Sequence, residues 1–110
     1  MRNRSKSRSK QDRLDETKRS TYRELFPFCQ ACGDVACDVH EIARGGRRVK
    51  AQGVRCCLLH LCRPCHELMG DYSVWPVERQ LRLKKAADPE GYDLEKFCEI
   101  YGRHITEETP

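Results

Sequence analysis

The cysteines of this chain are spaced to bind a metal ion. Two Cys-x2-Cys pairs, Cys29-x2-Cys32 and Cys62-x2-Cys65, are separated by the 29 residues 33 to 61. A two-residue gap lets one tight turn direct both sulfurs at the same ion, and four thiolates are a common ligand set of structural zinc. Convergence of four thiols disfavours a redox role for either pair. The spacing therefore predicts one structural zinc ion bound by all four cysteines.

Two histidines are candidate ligands for a second, harder ion. His40 lies between the cysteine pairs, beside Asp38 and Glu41, and His66 directly follows the last cysteine. Imidazole groups are suitable ligands for such an ion, and Asp38 or Asp71 would add an oxygen ligand. A second interpretation makes His40 an alternative zinc ligand and His66 a solvated helix residue.

Adjacent residues of a regular strand point to opposite faces of the sheet. His40 and Glu41 are adjacent. Both side chains can therefore reach one site only if the strand is irregular at that point.

The length and composition favour a small, metal-stabilised protein. A chain of 110 residues buries little apolar surface, so zinc would supply needed stability. Eight cysteines would suit a disulfide-bonded secreted protein, but no apolar signal segment opens the chain and the paired spacing favours metal. No apolar run approaches the roughly 20 residues that span a bilayer. We expect a soluble protein of a reducing cytosol, with no membrane contact.

The basic residues are concentrated in two segments. Residues 1–10 and 44–55 contain no acid, whereas acids gather between residues 88 and 108, and the formal net charge is +4. Such asymmetry is typical of a surface that binds a polyanion. A solvated tail and a solvated loop are the alternative. The predicted nucleic-acid contacts of the second segment are Arg44, Arg47, Arg48, Lys50 and Arg55.

The elements that would position these residues can be read from turn and helix signals. Residues 1–10 are predicted to be a disordered basic arm, 11–27 a helical segment, 28–71 a zinc-binding core, and 72–110 a C-terminal helical extension. Within the core we expect strands at 35–42 and 54–61, a basic loop between them, and a short helix at 64–69. Pro76 begins one later helix, while Asp93 and Gly102 bound the last. The fold class is α+β.

This order of pairs, strands and helix resembles the HNH nuclease family, whose zinc-containing members have a ββα-metal, treble-clef-like core. The resemblance covers residues 29 to about 70. It implies that His40 and His66 bind a catalytic divalent ion and that Glu41 is the general base. The residues that carry it are Cys29-x2-Cys32, Val39-His40-Glu41-Ile42, Gly45-Gly46 and Leu61-Cys62-Arg63-Pro64-Cys65-His66.

The resemblance implies a metal-dependent endonuclease that hydrolyses DNA phosphodiester bonds. Its cofactors would be structural Zn²⁺ and catalytic Mg²⁺, Mn²⁺, Ni²⁺ or Zn²⁺. Residues 40–51, 71–76 and 88–90 also resemble small HNH proteins of phage and prophage origin. That resemblance implies a phage or prophage origin, action in the bacterial cytoplasm, and DNA and phage proteins as partners. Glu41 stands where the family usually has histidine, and Cys57 stands near its usual asparagine. The alternatives are a non-catalytic zinc-stabilised module that binds DNA or protein, and a structural component of phage assembly.

Overall fold

The computed structural model of the chain describes residues 6–42 and 53–102, with side chains from residue 13 onward. Its elements are α1 (Lys6–Leu25), β1 (Asp38–Glu41), a 3₁₀ turn (Arg55–Cys57), β2 (Leu58–Leu61), α2 (Arg63–Met69), α3 (Val77–Ala87) and α4 (Leu94–Tyr101). The described part of the chain is α+β, as the sequence predicts.

Helix α1 is longer than the sequence predicts. It begins at Lys6, so residues 6–10 are helical although they were predicted to belong to a disordered arm. Lysine and arginine have high helix propensity, which lets the helix extend through this basic stretch. Its end at Leu25 agrees with the prediction, because Pro27 disfavours helix in the residue before it. Residues 1–5 lie outside the described residues.

The two strands form an antiparallel pair, with Asp38 opposite Leu61 and Glu41 opposite Leu58. Each is shorter than predicted. Residue Val35 contributes an isolated bridge to Phe28, and the residues before β2 form the 3₁₀ turn. This turn closes when the Cys57 amide donates to the Val54 carbonyl at 2.9 Å. The basic loop predicted between the strands falls almost wholly in residues 43–52, outside the described residues.

The sheet packs against different helices on its two faces. Tyr22 of α1 packs with Val39 and Leu58 on one face. The opposite face contributes Leu59 and Leu61 to the main core. Buried members of that core from the helices are Met69, Val77, Leu81, Phe97 and Tyr101. The C-terminal helices therefore share one core with the cysteine region.

The ends of α4 follow the sequence prediction. The Asp93 carboxylate accepts a hydrogen bond from the Lys96 amide at 3.0 Å, which caps the first turn. Gly102 follows the helix with φ of 82°, a left-handed conformation that glycine adopts without a steric penalty. No helix within residues 6–42 and 53–102 has the length and apolar composition needed to cross a membrane.

Candidate metal centre and histidine cluster

The four paired cysteines converge on one point. The sulfur atoms of Cys29, Cys32, Cys62 and Cys65 all lie within 4.8 Å of one another, and those of Cys32 and Cys62 are 3.6 Å apart. A tetrahedral zinc ion with bonds of about 2.3 Å needs sulfurs about 3.8 Å apart. Among the described residues, this is the one group of three or more His, Cys, Asp or Glu side chains brought so close. The donor set fits the predicted structural zinc.

Local structure holds each pair in place. A tight turn follows Cys29, in which the Gly33 amide donates to the Cys29 carbonyl at 2.9 Å and Gly33 has φ of 90°. Cys62 follows β2 directly as the residue before α2, and Cys65 lies in the first turn of that helix. The centre therefore joins the turn, the end of β2 and the start of α2.

The cysteine thiols of the centre differ in pKa. Burial opposes ionisation of Cys29, but backbone amides, including those of Ala31 and Cys32 at 3.4 Å, lower the pKa of its thiol to about 6. Burial and the neighbouring thiols raise the pKa of Cys65. A bound cation would offset the effects of burial and of the neighbouring thiols, because a thiol that coordinates a metal ion loses its proton.

His40 and His66 also come together. Their ring centroids are 5.2 Å apart with an interplanar angle of 73°. The Nδ1 atom of His66 lies 3.2 Å from the Asp38 carboxylate. His40 is only 4% exposed, whereas the side chain of His66 is 37% exposed. The histidine cluster, defined as Asp38, His40 and His66, is therefore accessible to solvent mainly at His66.

Asp38 is held as a carboxylate in this cluster. Arg63 donates two hydrogen bonds to it, at 2.7 and 3.3 Å. The hydrogen bond from Arg63 lowers the pKa of Asp38, and the contact with His66 adds to that effect. The cluster therefore combines two imidazoles with an ionised carboxylate, and the exposed Arg63 guanidinium lies beside it.

Glu41 does not join the histidine cluster. It belongs to the regular part of β1, so its side chain points to the face opposite His40. There it is 7% exposed and lies 3.1 Å from the Arg19 guanidinium of α1. The predicted combination of His40 and Glu41 in one catalytic site is therefore not assembled, because the strand lacks the irregularity that would be needed.

A residue that the sequence analysis missed contacts the cluster from α3. The Gln80 Oε1 atom lies 2.7 Å from His40 Nε2, and the Gln80 side-chain nitrogen donates to the carbonyls of Met69 and Trp75. Gln80 is fully buried. The sequence signal that could have identified Gln80 is its position, three residues after Val77 and next to Leu81 on the apolar face of the helix.

Arg55, one of the predicted DNA contacts, has a side chain that is 42% exposed and pairs with a buried carboxylate. Its guanidinium donates to both carboxylate oxygens of Asp88, at 3.0 and 2.7 Å. Asp88 also accepts from Lys84, whose side chain is fully buried. Burial alone would raise the pKa of Asp88, but hydrogen bonds from Arg55 and Lys84 lower it to about 2. The guanidinium therefore has a structural partner, and part of it remains exposed to solvent. The other predicted contacts, Arg44, Arg47, Arg48 and Lys50, lie outside the described residues.

No protein-family model, curated protein or solved structure matches this chain. The resemblance to HNH nucleases therefore depends only on the residues quoted for it.

Proposed function

We propose that this protein is a metal-dependent, HNH-type DNA endonuclease whose active site is the histidine cluster. The observation that carries the proposal is the approach of the His40 and His66 rings to 5.2 Å. They come from residues 26 positions apart, on β1 and α2. Their approach agrees with the strand, strand, helix order on which the resemblance depends.

The cysteine centre supports this arrangement physically. Zinc bound by the four thiolates would fix the start of α2 against the turn at Cys29, and His66 directly follows the ligand Cys65. Antiparallel pairing of His40 with Leu59 directs the His40 side chain to the face that α2 covers. The structural metal would therefore hold the two imidazoles at a constant separation.

His40, His66 and Asp38 are the residues that would hold the catalytic ion. A divalent ion there supplies stabilisation of negative charge on the phosphate and acidifies water. The partly exposed His66 is the ligand best able to adjust its position. Arg63, 65% exposed beside Asp38, offers a guanidinium to a phosphate. We assign no base role to Glu41, because it faces α1.

Cleavage of supercoiled plasmid with Mg²⁺, Mn²⁺, Ni²⁺ or Zn²⁺ tests the proposal. We expect His66→Ala to abolish measurable cleavage, because it removes a proposed ligand of the catalytic ion. Its zinc content and circular dichroism should match those of the wild type, because His66 is partly exposed. Glu41→Gln is the matched control and should retain cleavage. Absence of cleavage by the wild type with all four ions would overturn the proposal.

A non-catalytic, zinc-stabilised DNA- or protein-binding module is the second candidate function. One contact favours it: Glu41, which stands at the family's general-base position, is paired with Arg19 on the other face of the sheet. The base that the resemblance implies is therefore absent from the histidine cluster. Binding of DNA without cleavage under every metal condition would support this candidate over the first.

A further inference from the structure

We propose that Gln80 is a positioning residue of the histidine cluster and that it fixes His40 in the tautomer with its proton on Nε2. This inference deepens the proposed function and depends on it for its catalytic meaning. Gln80 lies on α3, outside residues 29 to about 70 that carry the family resemblance.

The orientation of the Gln80 amide is determined by two carbonyls. Its nitrogen lies 2.9 Å from the Met69 carbonyl oxygen and 2.7 Å from the Trp75 carbonyl oxygen. Carbonyl oxygens only accept hydrogen bonds, so both amide hydrogens are needed there. If the amide were reversed, the Gln80 oxygen would face the Met69 and Trp75 carbonyl oxygens in a fully buried position, and none of the three could donate a hydrogen bond. The Gln80 oxygen must therefore face His40.

That orientation decides which nitrogen of His40 carries a proton. The Gln80 Oε1 atom lies 2.7 Å from His40 Nε2, and an amide oxygen only accepts. Nε2 must then be the donor. A neutral imidazole has one N–H, so the nitrogen that carries the lone pair is Nδ1. A divalent ion held by His40 would consequently be bound through Nδ1.

Such a contact is what keeps a ligand imidazole in one tautomer and one ring orientation. Histidines that bind metals commonly donate their other N–H to a carbonyl or carboxylate group, and loss of that partner weakens the site. Gln80 supplies the equivalent acceptor here. Its two other hydrogen bonds join the end of α2 to the turn before α3, so the acceptor is itself rigidly held.

Nitrogen NMR of the zinc-loaded 110-residue chain tests the inference. The measurement is made about two pH units above the ordinary histidine pKa of ~6.5, where imidazole is neutral. We expect His40 Nε2 to resonate as a protonated nitrogen and Nδ1 as an unprotonated one, with the signals assigned by their loss in His40→Gln. Gln80→Met should move both resonances toward the average of the two tautomers.

Gln30→Met is the matched control, because the Gln30 oxygen accepts hydrogen bonds from the Tyr22 hydroxyl and the His60 amide rather than from His40. It should leave the His40 signals unchanged. A wild-type spectrum with the proton on Nδ1 would overturn the inference, as would an unchanged tautomer in folded Gln80→Met. If Gln80→Met does not fold, the wild-type spectrum decides alone.

The NMR result is independent of the cleavage assay. A chain that cuts DNA while His40 carries its proton on Nδ1 would retain the proposed function and refute the role of Gln80. A chain with the expected tautomer that cuts nothing would refute the nuclease and leave the hydrogen-bond assignment standing.

Discussion

The buried pair of Lys84 and Asp88 offers a quantitative test of how this fold is held together. Lys84 donates to the Asp88 carboxylate at 2.7 Å, to the Leu58 carbonyl at 2.8 Å and to the Tyr22 hydroxyl at 2.9 Å. The two charged side chains are 0% and 2% exposed. The pair therefore joins the end of α3 to β2 and α1 through one desolvated ammonium group.

Removing Asp88 should lower the free energy of unfolding more than removing Lys84. Asp88→Asn leaves the Lys84 ammonium buried with neutral acceptors, and we expect a loss of about 3–5 kcal/mol of unfolding free energy. Lys84→Met leaves Asp88 with two hydrogen bonds from Arg55 and one from the Gly91 amide. The Leu58 carbonyl then loses its Lys84 donor, so we expect a smaller loss of about 1–3 kcal/mol.

The deficit of Asp88→Asn should also depend on pH. Burial lowers the pKa of Lys84, and the hydrogen bond to Asp88 opposes that shift. Without the Asp88 carboxylate, the pKa of Lys84 in the folded chain falls further. Between that lowered pKa and the ordinary lysine pKa of ~10.4, the unfolded chain binds more protons than the folded chain. The stability of Asp88→Asn should therefore rise relative to the wild type as pH increases toward that value.

Urea denaturation of the zinc-loaded chain, followed by Trp75 fluorescence, measures these effects. The double variant should lose less stability than the sum of the single variants, because the two side chains interact directly. The reasoning would be refuted if Lys84→Met cost as much as Asp88→Asn, or if the two losses were additive.

Three further predictions concern the zinc, a buried phenol and the basic segments. Cys29→Ser should lose zinc and unfold the cysteine region, while Cys98→Ser keeps about one zinc per chain by elemental analysis; equal loss would contradict the assignment. Burial, with the nearby Asp88 carboxylate, raises the pKa of Tyr22. The unfolded chain therefore loses the Tyr22 proton at a lower pH than the folded chain does, so the free energy of unfolding should fall as pH rises above ~10. The fall should be less steep in Tyr22→Phe, and equal slopes in the two proteins would refute this prediction. Deletion of residues 1–10 should flatten the salt dependence of DNA binding, and an unchanged slope would exclude phosphate contacts there.

Local features of the sequence determined each half of the cysteine centre and most helix boundaries. Each Cys-x2-Cys pair needs only one tight turn, so its geometry is set within four residues. Pro27 and Gly102 likewise act on their immediate neighbours, and α1 and α4 end where those residues indicate. The extension of α1 to Lys6 was missed because basic composition indicates solvation as readily as it indicates helix.

The tertiary structure decided which side chains meet across the sheet. Regular pairing of β1 with β2 places His40 beside His66 and turns Glu41 toward Arg19, and that pairing joins residues about twenty positions apart. Gln80 reaches His40 across 40 residues of sequence. Spacing along one segment carries no information about such contacts, because they depend on how separate elements pack. The sequence alone therefore identifies the four cysteines that converge, whereas packing decides the orientation and the partners of the other candidate side chains.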